Sequence, residues 1–175
     1  MASFFRTYRE KESGDRVDGV FCMAFIHNGD YHLTHISIFR DGLIDCWGLV
    51  DFEEFKKRVR SGWVVTHPPE GARVSVALLA DFTAVRSSYW IEPEEFIKEV
   101  LDEIEALNGR PTTSDRCRNA WESYNLSPSE TTKESLRCAY EQIPAHMRRF
   151  VLHDMDRKDN AIRRVLYPQQ YKLPE

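Results

Sequence analysis

Long apolar runs are missing from this 175-residue chain: no stretch approaches the roughly 18 apolar residues of a membrane span. The opening Met-Ala-Ser-Phe-Phe-Arg reaches a charge after only two large apolar residues, too few for the apolar core of a signal peptide. Membrane insertion and export are therefore not expected, and the sequence reads as cytoplasmic. The four cysteines, Cys22, Cys46, Cys117 and Cys138, show no CxxC or other tight spacing. In a reducing compartment this pattern reads as free, mostly buried thiols, with no structural zinc. Also absent are GxGxxG, the P-loop, GxSxG and the HxE…CxxC signature of zinc deaminases, so no cofactor is expected. A net charge of −4 lacks the basic excess of a general nucleic-acid binder.

What is present is the composition of a globular protein, 42% hydrophobic and 30% charged. Its charge is uneven. Residues 1–109 carry 12 Lys/Arg against 19 Asp/Glu, net −7, and residues 110–175 carry 12 against 9, net +3. The simplest reading is that the two parts attract each other.

Two turn dipeptides, Asn28-Gly29 and Asp41-Gly42, punctuate strand-like runs over 19–27, 30–40 and 43–50. Two-residue type I′ turns at both would build a three-stranded antiparallel meander. In that register Cys22 faces His35 and Gly48, and Val20 faces Ser37 and Cys46. Ala24, Leu33 and Val50 would share this small, mildly polar side. Phe21, Met23, Phe25, Ile36, Ile38, Trp47 and Leu49 would form a large aromatic side. Both sides are apolar enough to need cover. The helix expected over Pro93–Leu107 suits the small side, and the C-terminal helices suit the aromatic one.

Further along, Asp51 and Glu54 mark the start of a short helix ended by Ser61-Gly62. Residues 63–66, 74–79, 82–85 and 89–91 are strand candidates. Pro93 opens an amphipathic helix whose apolar stripe runs through Phe96, Ile97, Val100, Leu101, Ile104 and Leu107. Arg110 to Ser114 reads as a boundary, followed by helices. Ser127-Pro128-Ser129-Glu130 signals a helix start, with Ser127 as cap, and the helix should run to about Gln142. Two more helices are expected over 146–153 and 159–167. The fold class is thus α+β: an antiparallel sheet, made of the N-terminal meander and further strands, with packed helices, then a helical C-terminal part. The domains are an α+β sheet domain over 1–109 and a helical part over 110–175, docked on it.

The candidate chemistry is sparse. A Cys22–His35 pair, with Cβ atoms about 4.5–5.5 Å apart, would let an imidazole activate a thiol. The alternative is that Cys22, Cys46, Ser37 and Gly48 are small because a helix lies over them, with His35 a core histidine. Asp154, Asp156 and Asp159 place three carboxylates in six residues. They lack the glycine and distal glutamate of a calcium loop, and no metal is assigned. His27 and His32 fall near the edge of the aromatic side. Arg148, Arg149, Arg157, Arg163 and Arg164 could hold a phosphate or an acidic partner, form a solvated face, or meet the Glu-rich helix.

The run DGLIDCWGLVDFEEF from Asp41 to Phe55, RSGWV from Arg60 to Val64, and HNGDYH from His27 to His32 resemble a family of uncharacterised bacterial domains, covering much of residues 1–109. PAHMR from Pro144 to Arg148, HDMDRKD from His153 to Asp159, and IRR from Ile162 to Arg164 are similar to a second uncharacterised domain. The resemblance implies a two-part bacterial cytosolic protein and no activity, cofactor or catalytic residue. With no catalytic signature in view, the sequence favours a non-enzymatic binding or interaction protein of accessory or immunity type. Its acidic N-terminal part would meet a protein partner or a second copy, and neither a membrane nor nucleic acid is expected. The alternative is a small enzyme using Cys22/His35 or Asp154/Asp156.

Overall fold

The computed structural model describes residues 3–87, 89–153 and 158–171. Eight strands and five α-helices are seen among these residues, and the class is α+β. The chain divides into two compact units, Met1–Arg110 and Pro111–Glu175. No helix among the described residues is long and apolar enough to cross a membrane.

The first unit is built on β1 (Phe5–Glu10), β2 (Arg16–Asn28) and β3 (Asp30–Phe39), antiparallel in that order. β4 (Ile44–Asp45) continues from one end of β3 and pairs with β5 (Leu49–Val50). β6 (Val64–Val65) extends the β1 side of β2 beside Phe25 and Ile26. β7 (Arg73–Val76) joins the other end of β3 in parallel, and β8 (Ala80–Thr83) pairs antiparallel with β7. β1 lies ahead of residue 19, where the first strand-like run of the sequence begins. No strand forms at 89–91.

Helix α1 (Phe52–Arg60) starts as its sequence predicts: the Asp51 carboxylate accepts from the Glu54 amide at 2.8 Å. Helix α2 (Pro93–Leu107) has Pro93 in its first turn. Together they cover one side of the sheet. Phe55 and Val59 of α1, and Phe96, Ile97, Val100 and Ile104 of α2, share a core with Cys22, Ala24, Ile26, Ile36, Ile38, Ile44 and Cys46. The expectation that Pro93–Leu107 lies over the side bearing Cys22 and Cys46 therefore agrees with this packing. Gly19 admits a close approach on the opposite side. A Cβ there would lie 2.7 Å from the Phe39 ring and 2.5 Å from the Ile38 carbonyl oxygen.

The meander register departs from the expected one at both turns. Cα partners on β2 and β3 include Cys22↔Ile36 and Met23↔His35, so β3 is displaced by one residue. At the second turn Gly42 N–H donates to Phe39 O, and Phe39 N–H donates to Leu43 O. Arg40, Asp41 and Gly42 thus form a three-residue loop, with Gly42 at φ 84 and no positive φ at Asp41. This is a type I turn followed by a left-handed glycine, not a type I′ turn. At the first turn Gly29, at φ 77, alone separates the paired Asn28 and Asp30. In each turn only the glycine takes positive φ.

The second unit is helical: α3 (Thr113–Leu126), α4 (Glu130–Gln142), a 3-10 turn over Arg148–Phe150 and α5 (Asn160–Leu166). Cys117, Leu136, Tyr140, Ile143, Val151, Ile162 and Leu166 form its own buried core. The cap of α4 is Ser129, whose hydroxyl accepts from the Thr132 amide, not Ser127. The helix expected over 146–153 shrinks to the 3-10 turn.

Candidate functional site

The displaced register removes the thiol–imidazole pair. Neighbouring residues on a strand point to opposite sides, so moving β3 by one residue puts Ile36 beside Cys22 and sends His35 to the other side. Cys22 is fully buried, and burial, with Glu99 and Glu103 adding to it, pushes its thiol up to about 12. His35 is exposed and meets the Phe21 ring edge-on at 5.7 Å, so it is neither a partner of Cys22 nor a core histidine. Cys46 is also buried. Arg58 donates to its carbonyl oxygen at 3.1 Å and reaches its sulfur at 3.5 Å, yet burial still raises the thiol above its ordinary range.

The same displacement exposes a different feature. Ile36 and Ile38 leave the expected aromatic side for the buried one. What remains on the outer side of β1–β3 is a band of large residues with few polar ones between them. Phe5 lies across from Phe21, and Phe21 from Ser37. Met23 lies across from His35, and Phe25 across from Leu33. Phe5 and Met23 are 54% and 51% exposed, while Phe21, Phe25 and Leu33 are half-buried. The Phe5 and Phe21 rings stand 5.4 Å apart, so with His35 they form one aromatic row across three strands. An antiparallel sheet with one solvated side ordinarily alternates apolar residues inward and polar ones outward. Here the outward set holds Phe5, Phe21, Met23, Phe25 and Leu33, with Ser37 and His35 among them.

The other candidates scatter. His27 stacks on Tyr31 at 4.4 Å near the first turn. His32 faces the opposite side from His27: its Nδ1 lies 2.7 Å from Ser75 Oγ and its ring 5.1 Å from Trp47. Asp154, Asp156 and Arg157 lie outside the described residues. Among the described residues no group of three His, Cys, Asp or Glu side chains is placed to hold a metal. Arg148, Arg149 and Arg163 line a single cavity in the helical unit, together with Lys158, Asp159 and Tyr140. Sequence reading missed Phe5, Lys158 and Tyr140. For Phe5 a weak signal existed in the alternation of Phe5, Thr7 and Arg9 with Arg6, Tyr8 and Glu10. Both sets contain charge, so no apolar stripe marked the strand.

No curated protein and no solved structure matches the chain. A family model described as Domain of unknown function (DUF7639) matches residues 112–173. Over the sheet unit, residues 6–111 match the model described as Domain of unknown function (DUF7638), and because that span is more than half of the sequence the chain belongs to this family.

Proposed function

We propose that this chain is a non-enzymatic binding protein that meets a protein partner through the outer side of β1–β3. The observation that carries the reading is the apolar band of exposed Phe5 and Met23 with half-buried Phe21, Phe25 and Leu33, on strand positions where polar residues are the norm. Large, contiguous apolar surface is costly to leave in water and is characteristic of interfaces, where aromatic side chains and Met are enriched at the centre. Residues 1–109 carry a net −7, which favours a partner with an apolar centre and a basic rim. The enzyme alternative loses its Cys22/His35 pair to the register.

The proposed setting is the bacterial cytoplasm. The exposed free thiol of Cys138 favours a reducing compartment, where it would not be oxidised. The test is native affinity capture from cells, comparing wild type with Met23→Glu, combined with light scattering for self-association. A reproducible partner or a dimer, lost in Met23→Glu while circular dichroism stays unchanged, is the expected result. Complexes that survive the substitution overturn the assignment of this surface.

A further inference from the structure

The helical unit contains a cavity of about 620 Å³, within the range of small-molecule sites. Its cations come from three segments: Arg148 and Arg149 on the 3-10 turn, Lys158 just before α5, and Arg163 on α5. Among the described lining residues the carboxylate is that of Asp159. Among the described residues, four cations face one carboxylate, a positive excess in a chain of net −4.

Arg148 is held in place without being neutralised. Its Nε donates to Ile143 O at 3.1 Å and its Nη2 to Glu141 O at 2.9 Å, so it caps the open carbonyls at the end of α4. Its guanidinium stands 5.4 Å over the Tyr140 ring. The Nη1 end of the fork makes no hydrogen bond among the described residues. Arg149 and Lys158 are exposed and form no ion pair among the described residues. Lys158 holds a left-handed backbone at φ 55, a conformation uncommon for a side chain of its size.

The floor of the cavity supplies the opposite chemistry. Asp159 is buried, and its Oδ2 accepts from the Tyr140 hydroxyl at 2.5 Å. Burial and the nearby Asp159 carboxylate raise the Tyr140 hydroxyl well above its ordinary range, which keeps it the donor in that bond. The other Asp159 oxygen has no hydrogen-bond partner among the described residues. A ligand matching these walls carries an anionic group for the cations and a hydroxyl for Asp159.

We propose that this cavity binds a small phosphomonoester with a hydroxyl-bearing body, its phosphate against Arg148, Arg149 and Lys158 and its hydroxyl on Asp159. Phosphate is favoured over a single carboxylate because it carries about −1.5 to −2 charge at neutral pH and offers three acceptor oxygens. The guanidinium fork matches it in shape. A nucleic acid is disfavoured by the chain's net −4. This inference stands on the helical unit alone, whatever the sheet side binds.

Titration calorimetry on the full chain with ribose 5-phosphate, glucose 6-phosphate and glycerol 3-phosphate tests it, with inorganic phosphate and free ribose as controls. At least one ester is expected to saturate a single site, with inorganic phosphate weaker and ribose silent. Arg149→Gln with Lys158→Gln should weaken the ester by about tenfold or more. Neither side chain makes a hydrogen bond or ion pair among the described residues, so the double variant tests binding without disturbing the end of α4. Arg148→Gln should weaken it similarly but needs a melting curve beside it, since it also releases two helix-end carbonyls. The proposal is overturned if none of the three esters binds, if the double variant binds as well as wild type, or if inorganic phosphate binds as tightly as the esters.

Discussion

Cys22, Cys46 and Cys117 are buried free thiols, and Cys138 is exposed. Burial raises Cys22 to about 12 and Cys117 to about 11, because a thiolate would lose its water; Glu99 and Glu103 add to this at Cys22, and Arg118 offsets only part of it at Cys117. In the unfolded chain these thiols ionise near about 8.5. Their folded-state values are raised, so their contribution to stability is intact below that range and is lost as the pH climbs towards the folded values. Two consequences can be measured. A disulfide reagent at about pH 8 should modify one thiol, Cys138, in the native protein, and all four after denaturation. Melting temperature should fall as the pH is taken from about 8 to 10, part of it carried by these thiols. Rapid native modification of Cys22 would contradict the packing of α2 over the sheet.

At the scale of elements, the decisive quantity is one residue of register in each turn. The positions of the meander strands and their turns were legible, because Asn-Gly and Asp-Gly favour positive φ and the flanking runs are apolar. The length of each loop was not, since Asp-Gly serves a three-residue loop with a left-handed glycine as readily as a two-residue one. Alternation could not arbitrate. β2 is apolar on both sides, with Cys22, Ala24 and Ile26 inward and Phe21, Met23 and Phe25 outward, so neither register stranded a charge in the core. The helices α1 and α2 were readable from Asp51 and Pro93, whose effects are local. The cavity was half legible: its arginines stand out in the sequence, while its shape depends on how α4, the 3-10 turn and α5 pack. Adjacent substitutions test the register. Ile36→Ala should cost about 2–5 kcal/mol in chemical denaturation, as for a fully buried isoleucine. His35→Ala should stay within about 0.5 kcal/mol, as for an exposed position. Equal or reversed costs would return β3 to the two-residue-turn register.

For the whole molecule, the question is whether each unit stands alone. The sheet unit closes a core between one side of the sheet and α1 and α2. Its last helix is tied back by Asn108, whose side chain donates to Arg40 O at 2.7 Å, and Arg110 pairs with Glu105. An outer side too apolar to stand in water would call for residues 110–175 as its cover. That side is less apolar than the two-residue turns implied, because Ile36 and Ile38 belong to the core. The helical unit has its own buried residues and two capping boxes, but it is the shorter of the two, where burial per residue is poorest. A fragment of residues 1–110 should therefore be soluble and melt in one cooperative transition. A fragment of residues 111–175 should be helical but melt at a lower temperature. Differential scanning calorimetry of both fragments and the full chain decides. If 1–110 aggregates or gains exposed-surface dye binding, and adding 111–175 in trans restores a sharp melt, then the helical part covers the aromatic band. Met23→Glu would then destabilise the full chain instead of releasing a separate partner, which distinguishes internal docking from an interface with another protein.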